Sequence, residues 1–211
     1  MVGKNFDPTC RKCPRLVDYL SRVRHEYPSY YSRPVPAFGV ARPKLLIVGL
    51  APGLHGANAS GRPFTGDEAG KFLFRVLYEF GFSNQPDSKA VSDELILYES
   101  RITNAVQCLP PKNHPTGQEV RNCNGFLKRE IALVPQDGVI LALGQVAHRA
   151  VVQATELRQK GFVFAHHRIH NLIPGRLLVD SYHCSRYNVQ TRRLTLGMFR
   201  DVFQTVRGLI E

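Results

Sequence analysis

The sequence predicts an α/β fold, a parallel sheet covered by helices on both faces, and three observations carry that expectation. Two short unbroken apolar runs, LLIVGL at 45–50 and GVILAL at 138–143, read as central strands, which are hydrophobic on both sides when a sheet is sandwiched. Each is followed by a segment whose apolar residues recur at helical spacing. The two patterns alternate along most of the chain, as strand–helix–strand units require. With 211 residues the chain suits one large domain, taken as 1–211, with ample length to bury a core.

In order, the polar stretch 1–14 reads as a loop and Leu16–Glu26 as a helix. Residues 27–43, rich in Tyr, Pro and Arg, read as an irregular surface connector. The strand at 45–50 opens into a loop at 51–66 and a helix at 68–80. In that helix Ala69, Phe72, Leu73, Val76, Leu77 and Phe80 keep one buried face. Thr65 and Glu68 have the spacing of a capping box at its start. Arg101–Val106 reads as a second strand, and Gln118–Val134 as a helix with Val120, Leu127 and Ile131 inward. Gly138–Leu143 is the third strand, with a helix at 145–157; Leu177–Asp180 is the fourth, before a final helix at 193–210. Ligands of such sheets bind at the carboxyl ends of the strands, so the loops 49–67, 104–117 and 181–192 are the candidate site.

Twenty-eight Lys and Arg against seventeen Asp and Glu leave a net charge of +11. That excess favours a polyanion, nucleic acid first, through counterion release; a basic protein with no such partner is the plainer alternative. No charged-then-apolar leader is visible, and no apolar run approaches the roughly 18 residues of a membrane helix. A soluble, cytoplasmic protein with no membrane contact is expected, which agrees with cysteines kept reduced.

Cys10 and Cys13 form a C-x-x-C, and Cys108 and Cys123 follow far downstream with fourteen residues between them. Two thiolates at the tighter spacing suit a metal ion or an iron–sulfur cluster better than a disulfide. Spacing alone leaves zinc and iron–sulfur both open. Such a site would staple the start of the chain to its middle. Cys184 is the odd cysteine out and need not be a ligand.

The first loop, GLAPGLHGANASGRPFTGDEAG from Gly49 to Gly70, matches neither a phosphate-binding loop nor a dinucleotide-binding turn. Phe64 among its glycines is a stacking platform for a base or a plug onto the core. Asp67 sits where a helix N-cap belongs, and its carboxylate is expected to stay ionised there, able to orient water or stabilise a cation. Asn104, at a strand end, offers a donor and an acceptor to one base edge, or closes a turn. In SYHCSRYNVQTRR, Ser181–Arg193, His183 is a hydrogen-bond donor to a developing anion or a structural histidine. Arg186, Arg192 and Arg193, with Tyr187 among them, suit a DNA contact or a solvated basic turn.

Together these motifs, GLAPG-x-x-G-x-N-x-S-GRPFTGD, NAV-x-C-x-PP-x-N-x-PT and H-x-S-x-x-NVQT-x-RLT, with the four cysteines, resemble the uracil-DNA glycosylase superfamily. The similarity is to its iron–sulfur-containing fifth family, and it runs from Cys10 to about Leu196 in the correct order. It implies a three-layer α/β/α sandwich around a four-stranded parallel sheet, with an N-terminal segment stapled by a [4Fe–4S] cluster on Cys10, Cys13, Cys108 and Cys123. The implied activity is monofunctional hydrolysis of the bond joining a deaminated base to deoxyribose, after that nucleotide is flipped out of double-stranded DNA. It also implies roles. Phe64 stacks on the base, Asn104 reads its edge, and backbone around Gly49, Leu50, Ala51 and Pro52 contacts base and water. His183 hydrogen-bonds the departing base, and Asp67 acts on the sugar cation or on water.

The chain departs from the wider superfamily at Ala51, where an acid or amide is usual, a substitution shared across the fifth family. Electrostatics and leaving-group stabilisation must then carry much of the barrier. His183-Cys184-Ser185-Arg186 lacks the two prolines usual there, so a looser loop is expected, with Ser185, Arg186, Tyr187 and Asn188 on the DNA and Arg186 or Tyr187 probing the gap left by the flipped base. With no bulky aromatic in Gly53-Leu54-His55-Gly56, the expected specificity is broad: uracil first, then hypoxanthine and xanthine. A monomer associated with the nucleoid while working completes the expectation. The alternatives are a non-catalytic nucleic-acid-binding protein on the same fold and a fourth-family enzyme, against which Leu50 and the FTGD run argue.

Overall fold

The computed structural model of the chain describes residues 6–172 and 175–211; of the expected N-terminal loop, residues 1–5 lie outside the described residues. In chain order the elements are α1 (Pro14–Glu26), β1 (Phe38–Gly39), β2 (Leu45–Gly49), α2 (Ala57–Ser60), α3 (Glu68–Glu79), β3 (Ser100–Asn104), α4 (Gly117–Ile131), β4 (Val139–Leu143), α5 (Gln145–Ala154), β5 (Ile169–Asn171), β6 (Leu177–Ser181), α6 (Arg186–Gln190) and α7 (Leu196–Ile210).

The sheet has six strands in the order β1-β3-β2-β4-β6-β5, which corrects the expected count of four. The four expected strands are its parallel centre, β3-β2-β4-β6, and the additions are antiparallel edges, β1 on β3 and β5 on β6. Both edges are short and neither is fully buried, so neither carries the apolar run that betrays a central strand.

Side-chain parity builds the layers. Leu45 and Ile47 of β2 point into a core shared with Leu73 and Leu77 of α3 and with Phe199, Val202 and Phe203 of α7. Leu46 and Val48, one step along, join Leu127 and Ile131 of α4 and Ala147, Ala150 and Val151 of α5. The result is helices on both faces of one sheet. A small third cluster seats Leu20 and Val23 of α1 on Leu109, beyond the sheet's carboxyl end.

Helices α4 and α5 stop at Ile131 and Ala154, short of the expected 134 and 157, and two helix starts are built differently from expectation. The start of α3 is capped by Asp67, whose side chain accepts from Gly70 N–H at 2.7 Å, and not by a Thr65–Glu68 capping box. The Thr65 hydroxyl is already engaged by Arg62 Nε at 2.9 Å and by Ser88 Oγ at 2.6 Å. The final helix begins at Leu196 under a Thr195 cap, and residues 186–190 form the separate turn α6, capped by Ser185. A local cap thus replaces the looseness expected from the missing prolines.

The chain reverses direction across the sheet at β2, running first to β3 on one side and then to β4 on the other. In open α/β sheets such a switch point leaves a crevice at the carboxyl ends.

Candidate active site

A cleft of about 1140 Å³ opens at that crevice, and all three expected loops reach it. Its floor lies where β2 and β3 end together, with Gly49 paired to Asn104. A Cβ at Gly49 would overlap Asn104 Oδ1 and come within 2.8 Å of the Phe64 ring. Only glycine lets the buried amide and the aromatic ring close over the strand end.

Phe64 is buried and sits at φ +55°, a left-handed conformation that an aromatic residue keeps only when its surroundings impose it. Those surroundings join the same loop to the 88–93 segment beyond α3. The Arg62 guanidinium, itself buried, holds both Asp93 oxygens at 2.6 Å, Ser88 Oγ at 2.7 Å and the Ala90 carbonyl. Burial alone would push the Asp93 carboxyl up; Arg62 and three backbone N–H donors outweigh it and hold the group below the usual carboxylate range.

Asp67 turns one oxygen to its cap and the other toward Gly53 and Gly56, where a Cβ on Gly56 would collide with it. Burial raises its pKa above the usual carboxylate value, and the Gly70 and Ala69 N–H groups oppose the shift without cancelling it.

His183 faces Phe64 with ring centroids 6.0 Å apart and planes 24° from parallel. Burial pushes its pKa down to about 4, so the ring is neutral in neutral solution. Its Nδ1 is buried without a hydrogen-bond partner among the described residues, an unmet bond at the cleft wall. The Asn188 amide donates to the His183 carbonyl at 2.8 Å and fixes the turn that carries the ring.

Of the remaining expected residues, Leu50, Ala51, Ser185, Arg186 and Asn188 line the cleft. Pro52 is buried and contributes no surface to it. Tyr187 stands at the mouth, 70% exposed. Cys184 is buried in the core, its thiol 3.5 Å from the Ala69 carbonyl, away from the other cysteines. Several wall residues were not anticipated. Gly144, Gln145 and Val146, leaving β4, follow from the strand-end rule and were legible. Phe164 and Ala165 come from an irregular stretch with no periodicity to mark it.

Cys10, Cys13, Cys108 and Cys123 converge on a separate, mostly apolar cavity of about 20 Å³, lined also by Leu16, Val17 and Phe126. None of the four is in a disulfide. Burial pushes the Cys123 thiol up to about 12 and Cys108 higher, and the neighbouring sulfurs push the same way. Burial and the neighbouring sulfurs therefore favour the protonated thiols until a cation that takes thiolates displaces the protons, and four sulfurs gathered at one cavity are a donor set for such a cation. Polypeptide contacts tie the same segments: Asn122 Nδ2 donates to the Lys12 carbonyl at 3.0 Å, and Arg15 forms a bidentate pair with Glu119 at 2.7 and 2.8 Å.

Among the described residues no helix is long and apolar enough to cross a membrane.

Comparison with known proteins agrees with this geometry. The "Type-5 uracil-DNA glycosylase" of Thermus thermophilus is 44% identical over 207 residues, 95% of this chain and 93% of that protein. The protein of the same name from Pyrobaculum aerophilum is 42% identical over 199 residues, 92% of this chain and 86% of its own. The "Type-4 uracil-DNA glycosylase" of Archaeoglobus fulgidus is 29% identical over 163 residues, 74% of this chain and 68% of its own. The family model for the uracil DNA glycosylase superfamily matches residues 36–207, a span that contains every cleft residue described above, and the chain belongs to that superfamily.

Proposed function

We propose that the chain is a monofunctional uracil-DNA glycosylase of the fifth-family type, acting on deaminated bases flipped from double-stranded DNA, with uracil preferred and hypoxanthine and xanthine also accepted. The observation that carries this reading is the meeting of a neutral buried histidine, a strand-end amide, an aromatic face and a buried carboxylate at one switch-point cleft.

The reaction breaks the C1′–N bond, leaves its electron pair on the base, and forms a C1′–O bond to water, whose proton is released. Phe64 offers its ring face to the base. A sandwich between Phe64 and His183 would need about 7 Å, twice a carbon–carbon contact. At 6.0 Å His183 therefore meets the base at its edge, not its face. Asn104 reads the Watson–Crick edge with its amide. Neutral His183 donates an N–H to the oxygen where negative charge builds, without needing to surrender a proton. The cleft-facing oxygen of Asp67 stabilises the sugar cation and orients water, a task Ala51 cannot share. Leu50, Ala51 and the strand-end backbone shape the pocket around them.

The four cysteines, gathered at one cavity, would hold a [4Fe–4S] cluster, as the resemblance to the fifth family implies; by donor type alone the same four sulfurs also suit zinc. Bound there, the cluster supplies a cross-link between the N-terminal segment and α4 and takes no part in hydrolysis. The whole chain, 1–211, acts as one domain and as a cytoplasmic monomer, meeting the nucleoid through its +11 charge.

The deciding experiment is cleavage of a labelled duplex carrying one U opposite G, with and without alkali, using brown, iron-loaded protein. Strand scission only after alkali, lost in Asn104→Ala and His183→Ala, is expected. A folded, iron-loaded sample inert on U, hypoxanthine and xanthine leaves a DNA-binding protein without catalysis as the better account.

A further inference from the structure

The cleft is larger than its proposed reaction needs. At about 1140 Å³ it exceeds the roughly 300–1,000 Å³ of pockets that enclose a whole drug-sized ligand. Besides Phe64, Asn104 and His183 it is lined by Phe164 and Ala165, with Tyr182 and Arg193, none of which the proposed chemistry uses.

Those side chains form an ordered tier. The Phe164 and Tyr182 rings lie 6.2 Å apart, Tyr182 stacks on His166 at 4.9 Å and 15°, and the Arg193 guanidinium sits 4.8 Å from the Tyr182 ring centre. Aromatic faces bordered by an arginine are the recurring platform for unpaired nucleobases.

The wall is also built to stay in place. Buried Asp180 accepts from Ala165 N at 3.4 Å and contacts His148 Nδ1 at 2.7 Å and His170 Nε2 at 3.0 Å. His148 Nε2 lies 3.0 Å from the Phe162 carbonyl, and Tyr182 N donates to His166 Nδ1 at 3.1 Å. Because the Phe162 carbonyl can only accept, His148 donates there. Phe164 is thus held on both sides by a satisfied buried network, the condition for a preorganised contact.

We propose that Phe164, with the Tyr182–Arg193 tier, is a second stacking subsite that receives the base next to the flipped nucleotide on the same strand. Its occupant follows from continuity: the strand that delivers one base to Phe64 brings its neighbour to the same cleft, which Phe164 also lines, whereas the opposite base belongs to the other strand. Flipping unstacks that neighbour on one face, and Phe164 replaces the lost stack. This rests on the glycosylase reading and extends it.

The test places 2-aminopurine immediately 5′ of, 3′ of, or opposite a non-cleavable 2′-fluoro-2′-deoxyuridine, and compares fluorescence in complexes of wild type, Phe164→Leu and Phe164→Trp. Leucine keeps the apolar volume that folding uses and removes the aromatic face; tryptophan restores it. At one flanking position the Phe164→Leu complex should be several-fold brighter and Phe164→Trp should return to the wild-type level. On ordinary uracil duplex KM should rise about tenfold with kcat within twofold, in the range that stacking of one base supplies. No difference at either flank, or a response only at the opposite base, overturns the proposal. Uracil release by wild type in the same series separates the two readings: without it the glycosylase assignment fails, and with it only the subsite is at stake.

Discussion

The two walls of the cleft leave β2 and β6, the strands on either side of β4, and are held in opposite ways. The glycine-rich wall is locked from behind: Arg62 and Asp93, with side chains only 5% and 13% exposed, fasten Thr65, Ser88 and the 88–93 segment beneath a strained Phe64. The Ser185–Gln190 wall stands on one turn of helix, a Ser185 cap and the Asn188 bond to His183, with Tyr187 in solvent. The difference divides the labour. On the proposed reading, the wall that presents one ring and one carboxylate to a reacting sugar is preorganised, and the wall that searches a duplex is left exposed.

The sharpest way to break this contrast is through the lock. Arg62→Ala strands Asp93 in a buried position, and the expected loss of stability is about 3–5 kcal/mol, measured by urea denaturation. Arg186→Ala on the other wall should change stability by less than about 0.5 kcal/mol. Equal costs would abolish the distinction.

Asp67→Asn separates chemistry from scaffold on the locked wall, because asparagine caps a helix as well as aspartate does. Single-turnover uracil release should fall on the order of 10²–10³-fold with the melting temperature nearly unchanged. Activity within tenfold of wild type would remove Asp67 from the reaction.

Acid should act through His183. Its folded pKa, about 4, lies below the ordinary 6.5, so between those values the unfolded chain binds the extra proton and stability falls as pH drops. The whole window is worth on the order of 3 kcal/mol. Burial of Asp67 works the other way at the acid end, so the informative quantity is the difference from His183→Gln, which should lose less between pH 6.5 and 4. Parallel pH–stability curves for the two proteins would place the acid sensitivity elsewhere.

The smallest effects belong to the exposed wall. Arg186→Ala should flatten the salt dependence of duplex binding by about one unit of slope. The Arg186→Ala, Tyr187→Ala pair should flip a fluorescent base analogue several-fold less well than wild type. Unimpaired flipping would mean that other residues probe the duplex.

Legibility followed the same divide. LLIVGL and GVILAL declared the sheet centre because strands buried on both faces have no polar positions to hide. Asp67 was legible as a cap because capping is a contact three residues away, to Gly70. The Thr65 hydroxyl was misassigned because its partners, Arg62 and Ser88, include one twenty-three positions along the chain, beyond α3. The edge strands escaped because two or three half-exposed residues carry no pattern. Phe164 escaped because its place in the cleft is set by Asp180 and His148, partners on two other elements.

By itself, then, the sequence determined the alternation of strand and helix, the loops that carry chemistry, the basic charge and the resemblance to uracil-DNA glycosylases, all encoded in spacing along the chain. Only the tertiary structure decided the burial that neutralises His183 and raises the pKa of Asp67, the gathering of four distant thiols, and the far wall of the cleft. Desolvation and through-space contact depend on which segments meet, and that is settled by packing the two faces of the sheet.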